Sequence, residues 1–200
     1  PESGYYDISM YVKQNFIQGI PINRKITIDG KVPFEEFDAY QFNYDGDWRM
    51  DTLTGKDGEP YKVYLEKGTH TIRMEVVLGE FSKIIDRIED VIQELNAIYR
   101  KVIRITGVAP DGYRDYELAS TLPGTGKELA ELSRKLTSII DTLKGMAGVS
   151  GESERVLITM RDQLDELSGD PERFSKVLDS YKSNISALGT WVGNVSVQPL

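Results

Sequence analysis

The 200 residues carry a formal net charge of −8, with acidic excess in both the first 80 residues and the remainder, and neither part offers a basic face for nucleic acid or an anionic membrane. The absence of cysteine excludes disulfides and thiolate metal sites. No apolar run approaches the roughly 20 residues needed to cross a bilayer, and no basic, apolar leader opens the sequence. A start at Pro1 is what a processed or excised chain would show.

From Tyr5 to Lys13, Tyr6, Ile8, Met10 and Val12 fall on one face of a predicted strand. Gly19 and Pro21 make the following stretch irregular. Ile26 and Ile28 mark a second strand, and Asp29-Gly30 is a hairpin-turn signal leading into Lys31-Val32-Pro33-Phe34. Phe37, Tyr40, Phe42 and Tyr44 suggest a further strand that ends at the acidic turn Asp45-Gly46-Asp47, and Trp48 to Gly58 reads as a long loop. Val63 and Leu65, a turn at Gly68, and then His70, Ile72, Met74 and Val76 predict two strands paired as a hairpin. Short strands at this spacing predict an antiparallel β-sandwich.

At Phe81 the apolar period changes from two to about 3.6 residues. Phe81, Ile84, Ile85, Ile88, Val91, Ile92, Leu95, Ile98, Tyr99, Val102 and Ile103 form the stripe of a long helix that should end by Gly107, and one short helix is expected around Tyr113 to Ala119. Thr125 and Glu128 have capping-box spacing ahead of Leu129, Leu132, Leu136, Ile139, Ile140, Leu143 and Met146, with Gly145 and Gly148 as the stop. Val156, Leu157, Met160, Leu164 and Leu167 give a third helix, closed by Gly169. Asp170 then reads as an N-cap with Pro171 at the first helical position of a fourth, along Phe174, Val177, Leu178, Tyr181, Ile185 and Leu188. One-sided helices joined mostly by short loops predict an antiparallel four-helix bundle. Val195 and Val197 resume alternation, so the expected architecture is α+β. A sandwich over 1–80, completed by a strand in 191–200, holds the bundle, 81–190, as an insertion.

Arg24-x-Ile-x-Ile-Asp-Gly-Lys-x-Pro-Phe34, then Trp48, then Pro60-Tyr-x-Val-Tyr-Leu-Glu-x-Gly-x-His-x-Ile72, resembles the galactose-binding-like β-sandwich of carbohydrate-binding modules. Pro110-Asp-Gly-Tyr-Arg-Asp-Tyr-Glu-Leu118, Asp170-Pro171, Ser183-Asn184-Ile185 with Leu188-x-x-Trp191, and Gln198-Pro199-Leu200 are similar to the helical insertion of very large extracellular solute-binding proteins of Gram-positive ABC importers. The resemblance implies a non-catalytic accessory region of a cell-surface lipoprotein that captures sugars or glycan fragments. It also implies partnership with the remainder of the parent protein and its ABC permease, the transport lobes lying outside these residues and a further strand following Leu200.

Sugars are held by aromatic faces against their C–H groups and by carboxylates or guanidinium on their hydroxyls. Tyr40, Phe42, Tyr44, Asp45, Asp47, Trp48 and Arg49 supply both kinds of group, and Tyr44, Asp47, Trp48 and Arg49 are the expected ligand-binding residues. The competing expectation is that Tyr40, Phe42 and Tyr44 are one packed side of a strand. Asp45, Asp47, Asp51 and Asp57 could gather oxygens for a structural Ca²⁺, but the spacing of a calcium loop is missing and a solvated acidic turn is favoured, so no cofactor is expected.

His70, as the lone histidine, excludes a histidine-rich metal site and a Ser-His-Asp triad within the chain, and its place in a strand predicts packing or hydrogen bonding. Glu35 and Glu36 are adjacent and so point to opposite faces, while Asp86, Glu89 and Asp90 lie on the polar side of a helix, so neither set reads as a glycosidase pair. Gly124-Thr-Gly-Lys127 lacks the spacing of a phosphate loop. Tyr113-Arg114-Asp115-Tyr116 reads as an interdomain hinge. The alternative to sugar recognition is a structural or protein-interaction module, and an apolar patch on the bundle exterior would favour it.

Overall fold

The computed structural model describes residues 1–16, 18–146 and 154–197. They form two compact units, 1–80 and 81–196. The first holds seven strands in three small antiparallel sheets. β1 (Gly4–Tyr6) pairs with β6 (Val63–Leu65), and β2 (Ser9–Gln14) pairs with β5 (Asp45–Thr52). The third sheet runs β4 (Tyr40–Phe42), β3 (Ile22–Ile28), β7 (Ile72–Val77), with β3 at its centre. One core gathers Val12, Ile22, Ile26, Phe37, Phe42 and Leu53, with Ile8, Met10, Val32, Phe34, Tyr40 and Tyr61 packed around it.

Several local expectations give way to pairing. The strand expected over Tyr5 to Lys13 is broken between Tyr6 and Ser9, so that β1 and β2 belong to different sheets. The expected hairpin does not form, because β6 turns to β1 and β7 to β3. The turn between them is tied elsewhere: the Lys67 and Gly68 amides donate to Ser3 Oγ and the Pro1 carbonyl, and His70 bonds Asp29. Asp29-Gly30 does turn the chain, with both residues left-handed at φ 51° and 77° and Ile28 bridged to Lys31. Beyond Pro33, however, a 3₁₀ turn over Glu35–Asp38 replaces the expected strand and drives Phe37 into the core.

Trp48 to Thr52 is strand rather than loop. Its inward positions are charged, which inverted the usual alternation signal.

In the second unit, α1 (Phe81–Thr106), the short α2 (Leu118–Thr121), α3 (Thr125–Lys144), α4 (Arg155–Gly169) and α5 (Phe174–Val197) follow in order, with a 3₁₀ turn over Pro171–Arg173 opening the last. Each long helix buries its apolar stripe. Lys101 pairs with Glu128 and Lys135 with Glu94, a descending order that makes α1 and α3 antiparallel. Lys144 near Glu154 at one end and Gly126 against Ser168 at the other do the same for α3 and α4.

Three details at helix ends differ from expectation. The capping box at Thr125 is not formed: Gly124, left-handed at φ 91°, precedes α3, and the buried Thr125 is already helical. Asp170 makes no side-chain cap, although Pro171 does occupy the first position of its 3₁₀ turn. The strand expected within 191–200 is helical as far as Val197, because Leu188, Trp191, Val192 and Val195 continue the buried helical stripe and outweigh a two-residue alternation. Residues 198–200 and Gly148 lie outside the described residues.

Candidate functional site

β2 and β5 pair with Ser9 opposite Thr52, Tyr11 opposite Met50 and Val12 opposite Arg49. Opposed residues share a face and neighbours in sequence do not. One face of this ribbon therefore carries Ser9, Tyr11, Trp48, Met50 and Thr52, and the other carries Met10, Val12, Arg49 and Asp51. Val12 is core, which fixes the second face as the inward one.

On the outward face, Trp48 (58 % exposed), Tyr11 (64 %) and Met50 (65 %) form an apolar strip. The Trp48 and Tyr11 rings are stacked, with centroids 5.5 Å apart and planes within 2° of parallel. A hydroxyl pair, Ser9 and Thr52 at 2.8 Å, closes one end of the strip. The two stacked rings and the thioether leave an exposed apolar surface, and an outer ring face of such a stack is a surface that accepts the C–H face of a sugar ring.

The other expected site residues lie differently. Arg49 is turned inward, where it bonds Asp45 at 3.2 Å, Asp51 at 3.0 Å and the Asn43 carbonyl at 3.1 Å. Its guanidinium is occupied in fastening the start of β5. Asp45 also accepts the Asp47 amide at 3.0 Å, and this bond first, with the Arg49 bond second, holds its carboxyl below the usual range. Asp47 is exposed beside Trp48 in sequence, and Tyr44 is half-buried before β5 begins. Tyr40 is half-buried with its hydroxyl accepting the Thr54 amide at 3.0 Å, and Phe42 is fully buried, so both serve the core. Asp57 accepts the Glu59 amide. Among the described residues, no three His, Asp or Glu side chains converge as a metal site.

Tyr11 is the residue that the sequence reading left out. The signal was there: with Tyr6, Ile8, Met10 and Val12 inward, alternation puts Tyr11 outward. Its meeting with Trp48 needed the β2–β5 register.

His70 sits at a junction. Its Nδ1 lies 2.6 Å from Asp29 Oδ2 and its Nε2 lies 2.8 Å from the Glu66 carbonyl, while Asp29 Oδ1 accepts the Thr71 amide. With an acceptor at each ring nitrogen the imidazolium is favoured. The Asp29 bond, and after it the Glu66 bond, raises the His70 pKa, and the His70 bond lowers that of Asp29. This pair joins the Asp29-Gly30 turn to the entry of β7; His70 makes the hydrogen bonds expected of it but lies before β7 rather than within a strand.

The clefts of the helical unit are shallow and lie on its connections. One of about 520 Å³ runs between Ala109–Tyr113 and the start of α5 at Ser175, Lys176 and Asp179. Arg114 stands over the Tyr116 ring at 5.1 Å, and the Tyr116 hydroxyl accepts the Asp111 amide, so the aromatic and charged cluster shapes its own loop.

Residues 83–195, from the first turn of α1 to near the end of α5, match the family model described as the bacterial solute-binding protein 4-helix bundle domain. The chain belongs to that family. No curated protein and no solved structure matches the chain. In this solute-binding protein family member, the four long helices α1, α3, α4 and α5 constitute the bundle, and the stacked pair of Tyr11 and Trp48 lies outside the matched residues, on the β-unit. No helix among the described residues is long and apolar enough to cross a membrane.

Proposed function

We propose that this chain is a non-catalytic accessory module of an extracellular solute-binding protein that serves an ABC importer, held at the cell surface through its parent protein. Its β-unit, in this reading a galactose-binding-like sandwich, presents Trp48 and Tyr11 to a carbohydrate or glycan fragment. Family membership supports the transport setting, the resemblance of the helical motifs supports the Gram-positive lipoprotein context, and that of the β-motifs supports the galactose-binding-like sandwich. The observation that carries the ligand class is the exposed, near-parallel ring pair on the outward face of β2 and β5.

Stacking fixes both rings, so the outer face of either can meet the C–H groups of a sugar at little conformational expense. Asp47 is exposed, but it is adjacent to Trp48 in sequence and alternation turns it toward the other face of the ribbon, so in this reading the contact rests on Trp48 and Tyr11. Arg49 contributes by holding β5 rather than by touching ligand. A docking role for the bundle is less well supported: among the described residues its strongly exposed large apolar side chains are Val108, Tyr113 and Val197, at separate places along the chain.

Isothermal titration calorimetry against a panel of neutral, acidic and amino sugars tests the proposal. Binding should appear for at least one member and be lost in both Trp48→Ala and Tyr11→Ala, with circular dichroism unchanged. Silence across the panel, or binding that survives both substitutions, would refute it.

A further inference from the structure

Among the described residues, β7 is an edge of the β4-β3-β7 sheet, with β3 as its one neighbour. The Asp29 amide donates to the Thr71 carbonyl at 2.9 Å, whereas Ile28, the next residue of β3, directs its amide and carbonyl away to Lys31. Hydrogen-bonded and non-hydrogen-bonded pairs alternate in an antiparallel ladder. Hence Arg73, Glu75 and Val77 direct their backbone groups to β3, and Ile72, Met74 and Val76 direct theirs to the open edge. The side chains of those same three residues are exposed, on the face that β7 shares with the core residue Ile26. Natural edges are commonly guarded by charged side chains, lysine above all, by proline or by a bulge, and the charges on β7, Arg73 and Glu75, are of opposite sign. Ile72–Val77 contains neither lysine nor proline, and its pairing to β3 runs without a register shift.

The sequence of β7 identifies the occupant. Laid antiparallel against itself with Met74 on the twofold axis, Ile-Arg-Met-Glu-Val places Ile72 opposite Val76 and Arg73 opposite Glu75 of the second copy, and the reverse. The outward backbone groups of Ile72, Met74 and Val76 then meet their counterparts as hydrogen-bonded pairs, about six bonds in all. The two Arg–Glu pairs fall at the non-hydrogen-bonded positions, where cross-strand side chains are closest. Within one chain Arg73 Nε already reaches Glu75 at 2.9 Å, so the charges are on the same face and exposed, ready to exchange partners. Apolar row, backbone groups and charges are all satisfied by one register.

We propose that the β7 edge is a homotypic interface, through which two copies of this chain join their three-stranded sheets into one continuous six-stranded sheet. This does not depend on carbohydrate binding, which uses the β2–β5 ribbon.

Sedimentation equilibrium over a concentration series of the full chain tests it. The native chain should show a monomer–dimer equilibrium. Arg73→Glu and Glu75→Arg each set like charges across the axis twice and should each weaken the dimer about tenfold. Mixed in equal amounts, the two variants become complementary and should form a heterodimer near native affinity. Neither variant retains the intrachain Arg73–Glu75 pair, so recovery on mixing reports the intermolecular register alone, and circular dichroism confirms that each is folded. A native chain that stays monomeric at high concentration overturns the proposal, as does a mixture that fails to recover.

Discussion

Tyr181 offers the sharpest check on how the bundle is held. It is fully buried on α5, meets Phe174 edge to face at 5.1 Å and 75°, and donates from its hydroxyl to the Leu95 carbonyl of α1 at 3.1 Å. Burial raises its phenol above the ordinary value. Tyr181→Phe removes a hydrogen bond whose acceptor lies mid-helix and keeps its place in the α1 ladder, so no buried group is orphaned and the cost should be about 1 kcal/mol. Tyr181→Ala removes the ring as well and leaves a cavity between helices, for about 3–5 kcal/mol. With a urea slope of about 1–3 kcal/mol per molar, the midpoint should fall by about 0.5 M in the first variant and about 2 M in the second. Urea titration followed by far-ultraviolet circular dichroism measures both. Equal losses in the two variants would mean that the hydrogen bond, not the packed ring, carries the contact; a negligible loss in Tyr181→Ala would show that α5 is not seated against α1 through this residue.

A Cβ at Gly126 would stand 2.9 Å from the Ser168 carbonyl, so Gly126→Ala should force α3 from α4 and cost about 1–3 kcal/mol by the same titration, despite the better helix propensity of alanine. The His70 pKa is raised in the folded chain, so its contribution is complete below the ordinary histidine value and is lost as pH rises through the folded one. Asp29 is lowered, so its share is present above the ordinary carboxylate value and is lost as pH falls through the folded one. Thermal unfolding of the β-unit should therefore be most resistant between these limits, and His70→Gln should remove the decline on the alkaline side. Arg49→Met should loosen β5 and speed amide exchange at Asp47 and along the rest of β5 through loss of the Asp45 and Asp51 pairs. Unchanged exchange would show those pairs to be ornamental.

The helical half was legible because its signal is local: the stripes from Phe81 to Leu188 bury as their spacing dictates, and the limits of α1 and α4 follow Gly107 and Gly169. The β-half was legible only in part. Alternation marks a half-buried strand but does not name its partner, so the split of β6 from β7 was hidden in contacts with Pro1, Ser3 and Asp29. β5 was concealed because Arg49 and Asp51 face inward and neutralise each other, giving a polar run where an apolar one is the usual cue. For the candidate site, Trp48 was visible by composition, whereas Tyr11 became its neighbour through register, and Arg49 left the surface through an alternation that a loop assignment had masked.

The two tryptophans are divided between the units, Trp48 in the β-unit and Trp191, 8 % exposed, in the helical unit. Their emission should therefore differ, red-shifted and readily quenched by iodide for Trp48, blue-shifted and shielded for Trp191. A single unlabelled chain thus carries an intrinsic optical probe in each half, and melting of one half while the other stands would register as a change in one colour only.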